Sequence, residues 1–240
     1  MFTPNHFIWL GLCAALIAAA TVASVRLSVS SRKVTVIFGV VCVLSETVKD
    51  MFSMVPSEFG GMVLNQQDIP LHMCSLVVFA ILIAVATRSD ELRLKLVSAV
   101  TVIGLIAPVL AMLIPTVGVE FTNPKCYQYF IYHAALMWFA LHHIITGQID
   151  LGKRAYLRNI AWLSVLMFIM LYINSALAAY GVNYFFMRKP PVDGLPLLNL
   201  DNGWYCYFAV LMAIAYGWVT LIQLPFMLKE RREKKRAETN

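Results

Sequence analysis

Apolar residues fill seven stretches of this chain, and polar ones are confined to the gaps between them. The stretches cover residues 5–24, 34–54, 70–87, 94–118, 125–146, 156–180 and 203–228, with no long hydrophilic insert. A helix rising 1.5 Å per residue needs ~20 residues to cross ~30 Å of hydrocarbon, so each stretch has roughly the length of a membrane span. Spans in lipid must satisfy their own backbone groups, and no ten-residue alternation of apolar and polar positions suggests a closed barrel. The pattern therefore predicts an all-α fold, a polytopic membrane protein built as a seven-transmembrane-helix bundle. It forms one domain over residues 1–228, followed by a basic tail over 229–240. The seven segments do not resemble one another, so no internal repeat is read.

The cations set an orientation. Fifteen of the nineteen Lys and Arg follow spans one, three, five and seven, among them Arg26, Arg88, Lys153 and the run from Lys229 to Arg236. The opposite loops hold Lys125, Arg188 and Lys189, and Lys49 lies inside span two. Cytoplasmic loops carry the positive excess, which places the N-terminus outside and the C-terminus in the cytoplasm. No Lys or Arg precedes the first span, the reverse of a cleavable signal, so that span reads as a retained helix.

Composition agrees: 60% of the residues are apolar, 13% are charged and the mean hydropathy is +0.73. The net charge of +6 is accounted for by the inner loops and the tail, which suits the anionic headgroups of the inner leaflet rather than nucleic acid. Of the five cysteines, Cys13 and Cys42 lie inside spans and read as small apolar residues. Cys126 and Cys206 fall at outer ends, where spacing alone neither requires nor forbids a disulfide.

Ionisable groups inside a span cost about 2.5 kcal/mol or more and by default face the bundle interior. They are Glu46, Lys49 and Asp50 in span two, His72 and Cys74 in span three and His133 in span five, with the amide of Asn174 in span six. Under the charge-derived orientation all of them fall in the outer half. Glu46 lies ~12 Å below the outer surface, and His72 and Cys74 lie within ~6 Å of it. This clustering predicts one cavity open toward the outer side.

Each residue also has a plainer reading. Glu46 and Lys49, at i and i+3, can neutralise each other. Asp68 suits the positive N-terminal end of span three, Asn174 suits a bond between helices, and Tyr127, Tyr129, Tyr132, Trp204, Tyr205 and Tyr207 suit an outer interfacial belt.

A thiol with a neighbouring imidazole is the minimal pair for acyl transfer. His72 and Cys74 would be ~200° apart on one helix, so the base for Cys74 must come from another span, and His133 is the available imidazole. Glu46 or Asp50 could orient it. Two other readings stay open. One is a non-enzymatic outward-facing binding protein or transporter for a small polar ligand, held at Glu46 and Asp50. The other is a metal-dependent lipid hydrolase using His72, His133 and Asp68 or Glu46, although no diagnostic metal spacing and no Gly-rich phosphate loop are present. The acyl-transfer reading needs membrane lipids as partners and no soluble cofactor.

An ordered series of short motifs carries a family resemblance. Pro70-Leu71-His72-Met73-Cys74, the acidic Glu46, Tyr129-Phe130-Ile131-Tyr132-His133, Asn183-Tyr184-Phe185-Phe186 with Lys189-Pro190, and Gly203-Trp204-Tyr205 resemble the bacterial YwaF-type integral membrane proteins. These are similar in turn to animal transmembrane protein 164, described as a cysteine-dependent acyltransferase that moves acyl chains between phospholipids. The resemblance implies a bacterial cytoplasmic membrane and a lipid acyltransferase or acyl hydrolase. It adds Asn183, Trp204 and Tyr205 to the candidate site, makes His133 the match of the essential histidine, and makes His72 the match of a histidine beside the cysteine. In that pattern the cysteine directly precedes the first histidine, where this chain has Leu71, and Cys74 is the nearest thiol.

Overall fold

The computed structural model describes residues 2–239. Seven α-helices account for most of them: α1 Pro4–Arg26, α2 Ser31–Phe52, α3 Met73–Ala86, α4 Asp90–Leu113, α5 Pro124–Thr146, α6 Lys153–Ala176 and α7 Trp204–Thr239. Between α2 and α3 lie β1, Met54–Pro56, and β2, Met62–Leu64, an antiparallel hairpin that the apolar pattern did not mark. Short 3-10 turns cover Gln66–Asp68, Ala178–Tyr180 and Tyr184–Phe186.

The helix ends follow local chemistry. Ser30, Ser89 and Asn123 turn their side-chain oxygens onto free N–H groups at the starts of α2, α4 and α5, and Pro4 and Pro124 occupy the first turn of α1 and α5. Gly147, at φ 67°, closes α5 in the left-handed region. The Ser89 cap, with Asp90 and Glu91 in the first turn, starts α4 several residues before the apolar run predicted.

α5 lies at the centre, against α1, α2 and α4, and α3 fills the space between α2 and α4. Phe38, Ile81, Leu136 and Phe139 form the buried centre of that group, and Trp9, Cys13 and Phe130 join α1 to α5. α6 and α7 pack mainly on each other and touch α4 lightly. Side chains such as Leu12, Val40, Leu44, Phe168 and Leu221 are exposed along the helices, a surface that water penalises and hydrocarbon accepts. Among the described residues, four helices, α1, α4, α6 and α7, are long and apolar enough to cross a membrane; α3 is apolar but has only 14 residues, ~21 Å. The protein is an integral membrane protein.

Two expectations about span ends change. α3 does not begin at Pro70: Ile69, restricted by the proline after it, is extended at φ −52° and ψ 138°, and His72 is an extended N-cap at φ −71° and ψ 152°. His72 is therefore not helical, and the ~200° separation from Cys74 does not apply. Asp68 stands in a 3-10 turn five positions before the first residue of α3, outside its first turn. At the other end of the chain, α7 runs unbroken through the basic segment, because Lys, Arg and Glu are good helix formers. Glu230 of that segment accepts the Lys153 N–H at 2.8 Å, supplying α6 with the cap its own Gly152 lacks.

α4 and α5 approach closely at Gly104, where an added Cβ would lie 3.0 Å from the Leu136 carbonyl oxygen and 3.1 Å from the Ala140 Cβ. Small residues allow such contact between membrane helices. Gly104→Val is expected to cost about 1–3 kcal/mol through overpacking, read as a lower melting temperature of the detergent-purified protein. An unchanged melting curve would show that the helices separate there at no cost.

Candidate functional site

Cys74 is the second residue of α3, and His133 stands nine positions after the first residue of α5. Helix packing brings them together, with His133 Nε2 3.3 Å from Cys74 Sγ. The other ring nitrogen, Nδ1, lies 2.7 Å from the Tyr129 carbonyl oxygen, one turn back on α5. A carbonyl only accepts, so the neutral imidazole carries its proton on Nδ1 and turns the lone pair of Nε2 toward the thiol. That is the tautomer a general base needs. His133 is buried and Cys74 is half-buried.

Nearby groups fix both partners. Tyr132 Oη donates to the Cys74 carbonyl oxygen at 2.6 Å, and the Tyr129 ring lies 4.4 Å from the imidazole between centroids. No side chain caps the first turn of α3, to which Cys74 belongs, so N–H groups at that end have no side-chain acceptor. His133 lies ~14 Å along α5 from its first residue, whereas Cys74 is at the very start of α3.

Ser75, next to the cysteine, belongs to a second cluster. Lys49 Nζ donates to Glu46 and, at 3.2 Å, to Ser75 Oγ, which in turn donates to Glu46 Oε2 at 3.2 Å. Asp50 is 3.8 Å from the same ammonium. Glu46 and Lys49 thus neutralise each other and tie α2 to α3. Neither Glu46 nor Asp50 contacts His133, whose Nδ1 is held by a backbone carbonyl instead.

His72 is separate from the thiol pair. Its ring meets Tyr184 edge-on at 5.3 Å and Phe186 at 5.9 Å. Those aromatics belong to a tightly pinned loop in which Phe185 and Phe186 adopt φ of 57° and 54°, a region unfavourable for bulky residues. Asn174 holds the loop to α6: its Nδ2 donates to the Tyr184 carbonyl at 3.0 Å and its Oδ1 accepts the Tyr184 N–H at 2.8 Å. Asn183 closes it by donating to the Lys189 carbonyl at 2.8 Å and accepting the Arg188 N–H at 2.9 Å. Trp204 Nε1 donates to the Met187 carbonyl at 2.9 Å, the Tyr207 hydroxyl donates to the Phe186 carbonyl, and the Tyr184 hydroxyl donates to the Gln66 carbonyl. Asn174, Asn183 and Trp204 are anchors of this loop, whereas Tyr205 is 85% exposed. The belt reading fails for Tyr132 and Tyr207, which are buried with their hydroxyls on backbone carbonyls.

Among the described residues, no group of three or more His, Cys, Asp or Glu side chains is placed to hold a metal ion. The five cysteines are free, Cys126 buried and Cys206 exposed.

The family model of the TMEM164 family matches residues 1–222. The chain belongs to the TMEM164 family. Comparisons with the curated proteins and with the solved structures return no match. In this TMEM164-family chain the Cys-to-His contact joins two of the motifs on which the resemblance rested, although Leu71 precedes His72. Sequence reasoning missed Ser75 and the pairing role of Tyr132. A small hydroxyl beside a cysteine and a tyrosine beside a histidine carry no signal until three helices are packed.

Proposed function

We propose that this protein is a membrane-embedded lipid acyltransferase or acyl hydrolase, with Cys74 as nucleophile and His133 as general base. The observation that carries the reading is the 3.3 Å contact between Sγ and an Nε2 left unprotonated by the Tyr129 carbonyl. In the first step Sγ attacks the carbonyl carbon of a lipid ester while the thiol proton passes to Nε2. The oxyanion forms near the uncapped N–H groups of α3, where backbone dipoles stabilise negative charge. Collapse breaks the ester bond, and the departing alkoxide takes the proton from His133, leaving a thioester on Cys74. A hydroxyl of a second lipid, or water, then gives its proton to His133 and attacks the thioester, and the thiol is restored. Tyr132 acts as a positioning residue by holding the Cys74 backbone.

The reading includes a setting. Seven spans, an outer N-terminus and a cytoplasmic C-terminus agree with seven helices whose cations gather at alternate ends, and a bacterial cytoplasmic membrane follows from the resemblance. The thiol pair then belongs to the outer side of the bundle, and the basic end of α7 lies against anionic inner headgroups.

The test is to trap the intermediate. Purified protein incubated with a phospholipid carrying a labelled acyl chain is expected to yield a hydroxylamine-labile label on Cys74, located by mass spectrometry and absent from Cys74→Ala. Label that persists in Cys74→Ala, or never forms on a folded wild-type protein across diacyl substrates, would overturn the thiol mechanism.

A further inference from the structure

Beside the pinned loop lies a groove of about 360 Å³, lined by Leu171, Asn174, Ser175, Ala178, Met187, Arg188 and Trp204. We infer that this groove binds the phosphodiester of a glycerophospholipid, with Arg188 as its anion ligand. The inference rests on the lipid-acting reading above and names where the lipid headgroup is held.

The guanidinium is immobilised and yet half unused. Nη1 donates to the Val182 carbonyl at 2.9 Å and the Ala178 carbonyl at 3.3 Å, so backbone at the end of α6 fixes the plane of the group. Nε and Nη2 take no partner among the described residues, and no carboxylate forms an ion pair with Arg188. Nε–H and one N–H of Nη2 point from the same edge, the fork that matches two oxygens of a phosphate. A guanidinium serving only to satisfy carbonyls would leave an exposed positive edge with no counter-charge, here at the mouth of a groove.

The lining selects a lipid over a free anion. Leu171, Ala178 and Met187 supply apolar walls, and the exposed Phe168 and Tyr172 continue them along α6 at helical spacing. An acyl chain can follow that stripe, whereas inorganic phosphate has no use for it. Trp204, fixed through its indole N–H to Met187, supplies the groove with an aromatic side chain of the kind enriched at headgroup level. The same loop turns Tyr184 and Phe186 onto His72, so the headgroup groove and the approach to α3 share one rigid segment.

The experiment measures equilibrium binding of fluorescent phosphatidylglycerol to the full-length protein in micelles, with diacylglycerol of the same chains and inorganic phosphate as competitors. Wild type is expected to prefer phosphatidylglycerol to diacylglycerol by about tenfold or more, the equivalent of one charge-assisted contact. Arg188→Gln is expected to erase that preference, Arg188→Lys to keep only part of it, and Leu171→Trp to weaken both lipids. Equal preference in wild type and Arg188→Gln would overturn the site, as would displacement of the lipid by inorganic phosphate as effective as by unlabelled phosphatidylglycerol. If Arg188→Gln loses its melting transition, Arg188→Lys and Leu171→Trp decide instead. Intact Arg188-dependent binding by wild-type protein that never forms a Cys74 thioester would sink the catalytic reading alone.

Discussion

Replacing His133 with alanine is expected to slow acylation of Cys74 by about 10²- to 10⁴-fold, the usual contribution of a positioned general base. The imidazole receives the thiol proton at Nε2 and has no substitute: the Tyr132 hydroxyl is committed to the Cys74 carbonyl, and Glu46 is tied to Lys49 and Ser75. His133→Gln should not rescue the rate, because an amide cannot carry the proton. The check is the rate of label transfer from phospholipid to Cys74, together with alkylation of the same thiol near neutral pH. Both should fall in His133→Ala while the melting curve stays in place. Equal rates in wild type and His133→Ala would mean that the 3.3 Å contact is packing only.

The second large effect concerns stability. Lys49→Met removes the cation that faces Glu46 and Asp50 and leaves two carboxylates in a part-buried position between α2 and α3. Breaking such a pair from one side costs about 3 kcal/mol or more, since the partner's charge is then desolvated without compensation. Lys49→Met is expected to melt well below wild type. Adding Glu46→Gln should recover much of the loss, because the neutral amide can still bond to Ser75 Oγ. The two changes should therefore be strongly non-additive in thermal melts. An additive pair would show that Glu46 and Lys49 act independently and that Ser75 does not couple the two helices.

Glu46, Lys49, His72, Cys74 and His133 stood out in the sequence because ionisable side chains in apolar runs are costly wherever the chain places them. The pairing of His133 with Cys74 was legible for a similar reason: two imidazoles were candidates, and one was excluded by helical geometry. That exclusion rested on a helix beginning at Pro70, and His72 proved to be an extended cap whose ring meets Tyr184 and Phe186. The contact is present although its premise is not. The orienting partner of His133 was misread, because a backbone carbonyl one turn away leaves no mark in a sequence, whereas a nearby Glu46 attracts the role.

By itself the sequence determined that the chain is helical and membrane-embedded, and roughly where each helix begins and ends. Apolar run length, capping residues and prolines act over a few neighbouring positions, so that information is local. Only the tertiary structure decided that Cys74 meets His133, that Ser75 joins Glu46 and Lys49, and that Asn174, Asn183 and Trp204 serve a loop and not the thiol. Those contacts join residues on different elements. Which faces turn toward one another is set by how whole helices pack, as where Gly104 admits the backbone of α5.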